Sequence, residues 1–383
     1  MTRFRWRVTT TGAVGPVTPV ELFFDVVFVF TLTQLTRVLE ADLSWAGAGR
    51  VLLLFSVLWW MYGGYAWLTN HVPPRRVSQK LLLFAGMAGF MIAAVGIPHV
   101  FDGTGIVFGA GYLVVICVHL LLFTQSDALA GVLRLAPFNL ASALLILAAG
   151  FVHGPAVYAM WVAAFVVMAI APYLAPGCSW VGRASTFHLS AEHFVERHGL
   201  LVIVALGESV VAIGMGVDIE HLTAGTLGAI VLALALPAGL WWTYFTDTGA
   251  AEHALAGAEP GTRSRLAVRA YIFAHIPLLL GIVAAAAGIH GAIAHPGDPA
   301  HLPSAIALAG GVALFLGGIA EVRRCLGIGS PQSRLAAAVA ALATIPIGTS
   351  VHAGLQLASV VVVVAAMLII DARLNPAKVP THA

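Results

Sequence analysis

At 383 residues, 60% hydrophobic and only 9% charged, with a mean hydropathy of +0.95, the chain falls outside the soluble class, where about a quarter of residues are charged. A formal charge of +2 is too small to mark a nucleic-acid partner or an acidic substrate. Cys117, Cys178 and Cys325 form no CxxC pair, so neither a disulfide framework nor a cysteine metal site is expected.

In chain order, Arg3, Arg5 and Arg7 precede a first apolar run that is too long for a signal h-region. No small-residue cleavage site follows it, so it reads as a retained helix. Further spans of about 20 apolar residues follow. The expected set is 20–39, 49–69, 80–98, 104–124, 136–152, 155–175, 197–216, 224–246, 266–289, 303–321, 335–349 and 352–371. Lipid cannot satisfy exposed backbone groups and no barrel-like alternation is present, so the spans are helices. The expected class is an all-α integral membrane protein with about twelve transmembrane helices. Pro346 interrupts the short eleventh span, which keeps the count between eleven and thirteen.

The basic residues test this arrangement independently. Arg75, Arg76, Lys80, Arg134, Arg183, Arg197, Arg263, Arg265, Arg269, Arg323, Arg324, Arg334, Arg373 and Lys378 fall on one side with the N-terminal arginines. Arg37 and Arg50 fall toward the other. The rich side is cytoplasmic by the positive-inside rule, which places both termini in the cytoplasm. Residues 1–175 and 197–373 then form two six-helix halves, joined by a cytoplasmic linker and juxtamembrane helix over 176–196. A cytoplasmic tail covers 374–383. The halves echo each other: Glu21 and Glu196 head the first and seventh spans. Tyr65–Asn70 resembles Trp241–Asp247, and Gly96–His99 resembles Gly288–His290. Six spans per half is an even number, so the two repeats are parallel, related by an axis along the membrane normal.

Residues that are costly to bury carry the functional signal. An ionisable group at the bilayer centre costs about 2.5–3.5 kcal/mol by insertion scales. Asp25 lies roughly 8 Å into the first span, and Glu208 roughly 15 Å into the seventh, near the midplane. His275 reaches a similar depth in the ninth span, and His119 in the fourth returns to about the depth of Asp25. Glu21, Asp25, Thr33 and Thr36 share an arc of about 120° on one helix face. Ala205 and Ala212 share the face of Glu208 and permit close helix approach. A proton- or substrate-binding site therefore centres on Glu208, with Asp25, His275, Glu21, Glu196 and His119 as further candidates. A structural, hydrogen-bonded carboxylate is the alternative at each acid, and a neutral helix-bridging histidine at each His.

Several other patterns point elsewhere. In "HFVERH", His193 and His198 lie 140° apart on a helix, so they do not form a zinc-binding pair. A capped helix starting at Ser190 explains the segment. His99, His153, His221, His290, His295, His301 and His352 lie near outer loops or span ends without tight metal-ligand spacing. No metal or cofactor is expected. Trp59–Trp60 and Trp241–Trp242 fit packing or interface roles, and Gly105 with Gly109 signals only close helix packing.

"VELFFDVVFVFTLTQLT" (Val20–Thr36) resembles the opening signature of the bacterial low-temperature-requirement A (LtrA) family. "EHFVERHGLLVIVALGESVVAIG" (Glu192–Gly214) resembles its second signature. "LWWTYF" (Leu240–Phe245) and "AHIPLLLGIVAAAAG" (Ala274–Gly288) are similar to its later spans. The resemblance implies a polytopic protein of the bacterial cytoplasmic (inner) membrane. It makes Glu21, Asp25, Glu196, Glu208 and His275 the motif's polar positions without giving them roles. The function expected from the buried carboxylates is a proton- or ion-coupled secondary transporter or permease for an unspecified small molecule or ion. A channel would show carboxylate rings or a filter motif. A membrane-embedded enzyme acting on a lipid or redox carrier would need clustered ligands at one interface, so enzymatic activity is not the expectation. A structural or stress-adaptation protein without a transported solute is the remaining alternative. The expected partners are the lipid bilayer and the small molecule or ion, with an oligomer compatible and no nucleic acid.

Overall fold

The structure is a computed structural model, described over residues 16–71, 73–125, 129–171, 189–216 and 223–374. The N-terminal arginines, Cys178, His221, most of the expected linker and nearly all of the expected tail lie outside these residues. The described residues are helical, with no strand among them. In chain order the helices are α1 (Pro19–Ala41), α2 (Trp45–His71), α3 (Val77–Gly96), α4 (Gly105–Phe123), α5 (Leu129–Ala149) and α6 (Pro155–Ala169). After them come α7 (Ala191–Gly216), α8 (Ala224–Phe245), α9 (Thr248–Ala256), α10 (Pro260–Ala267) and α11 (His275–Ala294). The last four are α12 (Leu302–Leu326), α13 (Gln332–Leu342), α14 (Ile345–Ser350) and α15 (Ala353–Leu374).

An apolar helix stands at each position where the sequence leads one to expect a span. Among the described residues, ten helical stretches are long and apolar enough to cross a membrane, and two shorter apolar ones, Leu133–Ala149 and Pro155–Ala169, stand at the fifth and sixth positions. This is a multi-pass membrane architecture.

Two compact units divide the chain. The first comprises the described residues through Val204 together with Glu252–Ile272. The second comprises Ala205–Ala251 and the described residues from Phe273 onward. In the first unit, α1 packs on α2 and α3, and α3 through α6 pack in sequence. Its core is aromatic. Phe24 stacks on Tyr65 at 4.8 Å, and Phe28 meets Tyr62 at 4.4 Å. Trp59 stacks between Phe55 and Tyr62. In the second unit, α11 packs along α12, and α8 and α13 pack on α15. That core is mainly aliphatic, with Leu278, Ile282, Leu308, Val312 and Leu357 around the ring of Phe315. Of the tryptophans expected in packing or interface roles, Trp59 is buried in the core, and Trp241 and Trp242 are exposed.

Helix hairpins in each unit rest on glycine. A Cβ added at Gly89 would come within 2.9 Å of the Gly111 carbonyl oxygen, and Gly111 itself lies against the Ala93 backbone. Gly96 meets the backbone of Phe108. In the second unit a Cβ at Gly281 would come within 2.5 Å of the Gly311 carbonyl oxygen. There Gly311 lies against Ala285 and Gly288 against Leu308. Backbones this close leave no room for a side chain, which is how membrane helices gain contact without a hydrophobic driving force.

Two spans depart from regular helix, the ninth where the sequence suggests one continuous run and the eleventh where Pro346 marks an interruption. The ninth span begins with α10, passes through a π-helical turn at Val268–Phe273, and continues as α11. A π-turn frees a carbonyl from the regular ladder, and here the Trp59 indole N–H donates to the Ile272 carbonyl at 2.8 Å. Pro277, which has no N–H, follows one turn later. The eleventh span breaks after Leu342, and Pro346 lies in the first turn of α14.

Candidate functional site

The most costly group in the first unit is Arg197, which is fully buried on α7. The charge distribution in the sequence places it in a cytoplasmic loop at the head of the seventh span. Instead, α7 starts at Ala191 and runs without a break to Gly216, so Arg197 is two turns inside it. From Ala191 onward, the end of the expected linker and the span are one helix.

Two facing pairs explain how the guanidinium is tolerated. Glu21 and Asp25 are the third and seventh residues of α1; His193 and Arg197 are the third and seventh of α7. Spacing of i and i+4 puts each pair on one helix face. The pairs meet in register. His193 Nε2 lies 3.2 Å from Glu21 Oε1, and Arg197 Nη2 lies 3.2 Å from Asp25 Oδ1. A diagonal contact joins Arg197 Nη1 to Glu21 Oε1 at 3.3 Å. We refer to this arrangement as the acid–base ladder.

Neutral groups hold the ladder's rungs. The Tyr62 hydroxyl donates to Asp25 Oδ1 at 3.0 Å, and Arg197 Nη1 contacts the Thr69 hydroxyl. The guanidinium lies over the rings of Phe24 and Tyr62, at 5.6 and 5.8 Å, a cation–π setting that partly replaces lost hydration. Glu21 also caps its own helix, since its Oε2 accepts from the Thr18 backbone N–H at 2.9 Å and from the Thr18 hydroxyl at 2.7 Å. Asn70, at the end of α2, binds both backbone groups of Ser190 at 3.1 and 3.3 Å and meets His193 Nδ1 at 3.2 Å. The start of α7 is thus fastened to the end of α2.

The candidate residues divide accordingly. Glu21 and Asp25 are brought together. Glu196 is exposed and instead accepts from the Val17 backbone N–H at 3.0 Å. His119 is buried between Tyr65 and Phe123, with ring centroids at 5.3 and 4.9 Å. Glu208, also on α7, is buried three turns beyond Arg197. His275 is buried at the start of α11, its Nε2 3.1 Å from the Tyr244 hydroxyl. His193, Arg197, Tyr62, Thr69 and Asn70 complete the ladder although sequence reasoning did not place them in it. The available signal was the shared spacing of Glu21/Asp25 and His193/Arg197.

A second ionic cluster lies within the second unit, where Asp247 follows α8. Arg323 in the last turn of α12 grips Asp247 with two nitrogens, at 2.6 and 2.8 Å, and Asp371 of α15 with two more contacts, at 2.9 and 3.1 Å. Arg334 of α13 reaches Asp371 at 2.5 Å. The Ser333 hydroxyl donates to the same carboxylate at 3.2 Å. Among the described residues, no group of three or more His, Cys, Asp or Glu side chains is placed to hold a metal ion.

Comparison with known proteins adds two findings. A family model described as "Bacterial low temperature requirement A protein (LtrA)" matches residues 16–369. A protein of Rhizobium meliloti (strain 1021), itself described as uncharacterized, is 29% identical over 314 residues, covering 79% of this chain and 76% of the relative.

Proposed function

The chain belongs to the bacterial low-temperature-requirement A (LtrA) family, and from that premise we propose a proton-coupled secondary transporter or permease of the bacterial cytoplasmic membrane. The observation that carries this reading is the charge imbalance of the buried ladder. Two carboxylates face one guanidinium, which leaves one negative charge in a site closed to water. One proton taken up within the ladder cancels it. Burying an uncompensated charge is costly, so the ladder is suited to take up a proton and to release it when the helices rearrange. Glu208 is the buried acid of α7 and the candidate for relaying charge or substrate deeper in the membrane.

The topology goes with this reading. Register pairing of α1 with α7 sets their N-terminal ends side by side, which requires an even number of crossings from α1 through α6. The short helices α5 and α6 then both cross or neither does. In the second unit the ends of α8, α12 and α15 meet at Asp247, Arg323 and Asp371, each two crossings from the next. Both patterns support an even number of crossings, twelve where α5 and α6 both cross, and the side on which the basic residues gather supports cytoplasmic termini. The parallel repeat is supported by matching glycine contacts: Gly89, Ala93 and Gly96 against Phe108 and Gly111, and Gly281, Ala285 and Gly288 against Leu308 and Gly311. Intact-cell labelling tests the orientation after the three native cysteines are replaced. A cysteine at Gly297 is expected to react with an impermeant maleimide and one at Gly257 is not; the reverse pattern refutes the topology.

Transport is tested in proteoliposomes carrying a trapped pH dye. Monovalent cations, amino acids and organic cations are added one at a time. At least one is expected to move protons with the wild type, and Asp25→Asn and Glu208→Gln are expected to abolish that flux. A protein that moves no protons with any compound, or variants that insert and keep full flux, would sink the proposal. One observation favours the alternative of a membrane-stabilising protein without a solute: the second cluster pairs two aspartates with two arginines and stores no proton.

A further inference from the structure

Arg50 stands apart from the other basic residues in the chain. With Arg37 it lies away from the arginine-rich side, so a local partner is needed to explain it. It is on the second turn of α2, where Nη1 binds Asp42 Oδ2 at 3.1 Å and Nε binds the Tyr158 hydroxyl of α6 at 3.2 Å. A guanidinium has five N–H groups, so these two bonds leave donors to spare, and the Asp42 carboxylate keeps acceptor capacity. Both side chains are about one-third exposed, 37% and 34%.

Beside them is an open cleft of about 390 Å³ lined by Ala46, Gly49, Arg50, Leu53 and Tyr158. Its floor is made of small residues; a Cβ added at Gly49 would meet nothing within 4 Å. Trp45, one turn earlier and 87% exposed, has the placement of an interfacial anchor. Phe101 stacks on Tyr158 at 4.8 Å and holds the far wall. One turn beyond Gly49, the Leu53 side chain lines the same cleft and makes its wall apolar. A cation and an anion side by side, above an apolar groove at the level of an interfacial tryptophan, complement a ligand with the same charges reversed above an acyl chain.

We propose that this cleft between α2 and α6 binds the head group of phosphatidylethanolamine, with its phosphate on Arg50 and Tyr158 and its ammonium on Asp42. The commitment to this lipid comes from the pairing. A site built for an anionic lipid has no use for Asp42, whereas a zwitterionic head group uses both charges. A primary ammonium donates hydrogen bonds to a carboxylate and a trimethylated one cannot. This site is independent of the ladder and of any transported solute.

The full-length protein, purified in mild detergent, is offered equal amounts of phosphatidylethanolamine, phosphatidylcholine and phosphatidylglycerol, and retained lipid is counted by native mass spectrometry. Phosphatidylethanolamine is expected to be retained about tenfold over the other two, the scale of one charge-assisted hydrogen bond. Arg50→Gln is expected to remove this preference. Gly49→Leu is expected to remove it as well, by filling the cleft from a helix position with open space around it, so folding is preserved. Free phosphoethanolamine at equal concentration is expected not to displace the lipid. Equal retention of the three lipids, an unchanged preference in Gly49→Leu, or displacement by free phosphoethanolamine would each overturn the assignment.

Discussion

Replacing Arg197 with glutamine should destabilise the protein by about 3–5 kcal/mol, the usual cost of removing one partner from a buried ion pair. The substitution leaves Glu21 and Asp25 facing each other's charge in a core where both are fully buried. It also removes the contacts to Thr69 and the cation–π packing on Phe24 and Tyr62. Unfolding in detergent micelles, followed by tryptophan fluorescence, measures the loss. The sharper result is the rescue. The triple variant Glu21→Gln, Asp25→Asn, Arg197→Gln removes every formal charge but keeps shape and hydrogen-bonding capacity, and glutamine still completes the cap of α1. It should regain most of the lost stability, because a neutral replacement of a buried ion set is often close to neutral in energy. A triple variant as unstable as Arg197→Gln alone would show that packing, and not charge balance, holds α7 against α1. Within the transport reading, the same triple variant should be folded but inactive, which separates the structural from the functional role of the ladder.

The second cluster gives the other large effect. Asp371→Asn should cost about 3 kcal/mol, at the lower end of the range because Asp371 and Asp247 retain some exposure, 9% and 14%. Two arginines that now share two carboxylates would be left with one. The adjacent Arg324 provides the contrast. It pairs with Glu321 at 2.7 Å, but its side chain is 60% exposed, so Arg324→Gln should leave stability essentially unchanged. Unfolding of the two variants under one set of conditions decides the matter. Equal effects would mean that burial does not set the worth of these pairs.

Hydropathy alone was enough to locate the long apolar helices, though not the short α9 and α10, because the bilayer sets both the length and the composition of a span. Glu21 and Asp25 were legible for the same reason: a carboxylate inside an apolar run is conspicuous. Arg197 was not. A basic residue near a span end satisfies the positive-inside pattern, and nothing local distinguishes a solvated arginine from one drawn inward by acids 172 and 176 residues away. The cue lay in comparing two helices, since third and seventh positions carry acids on α1 and bases on α7. The π-turn at Val268–Phe273 was hidden for a related reason. Its carbonyl is satisfied by the indole of Trp59 on a different helix, so the local sequence bears no mark of it beyond Pro277. By contrast, Pro346 did signal the break in the eleventh span, because proline acts on its own preceding turn.

The glycine-lined hairpins respond to cooling differently from a water-soluble core. Burial that depends on expelling water weakens as temperature falls. The pairing of α3 with α4, and of α11 with α12, depends instead on backbone-to-backbone contact between surfaces already surrounded by lipid. Dispersion forces between atoms in contact do not fade in this way. These two hairpins should therefore keep their geometry in a chilled membrane, and what cooling alters around them is the lipid.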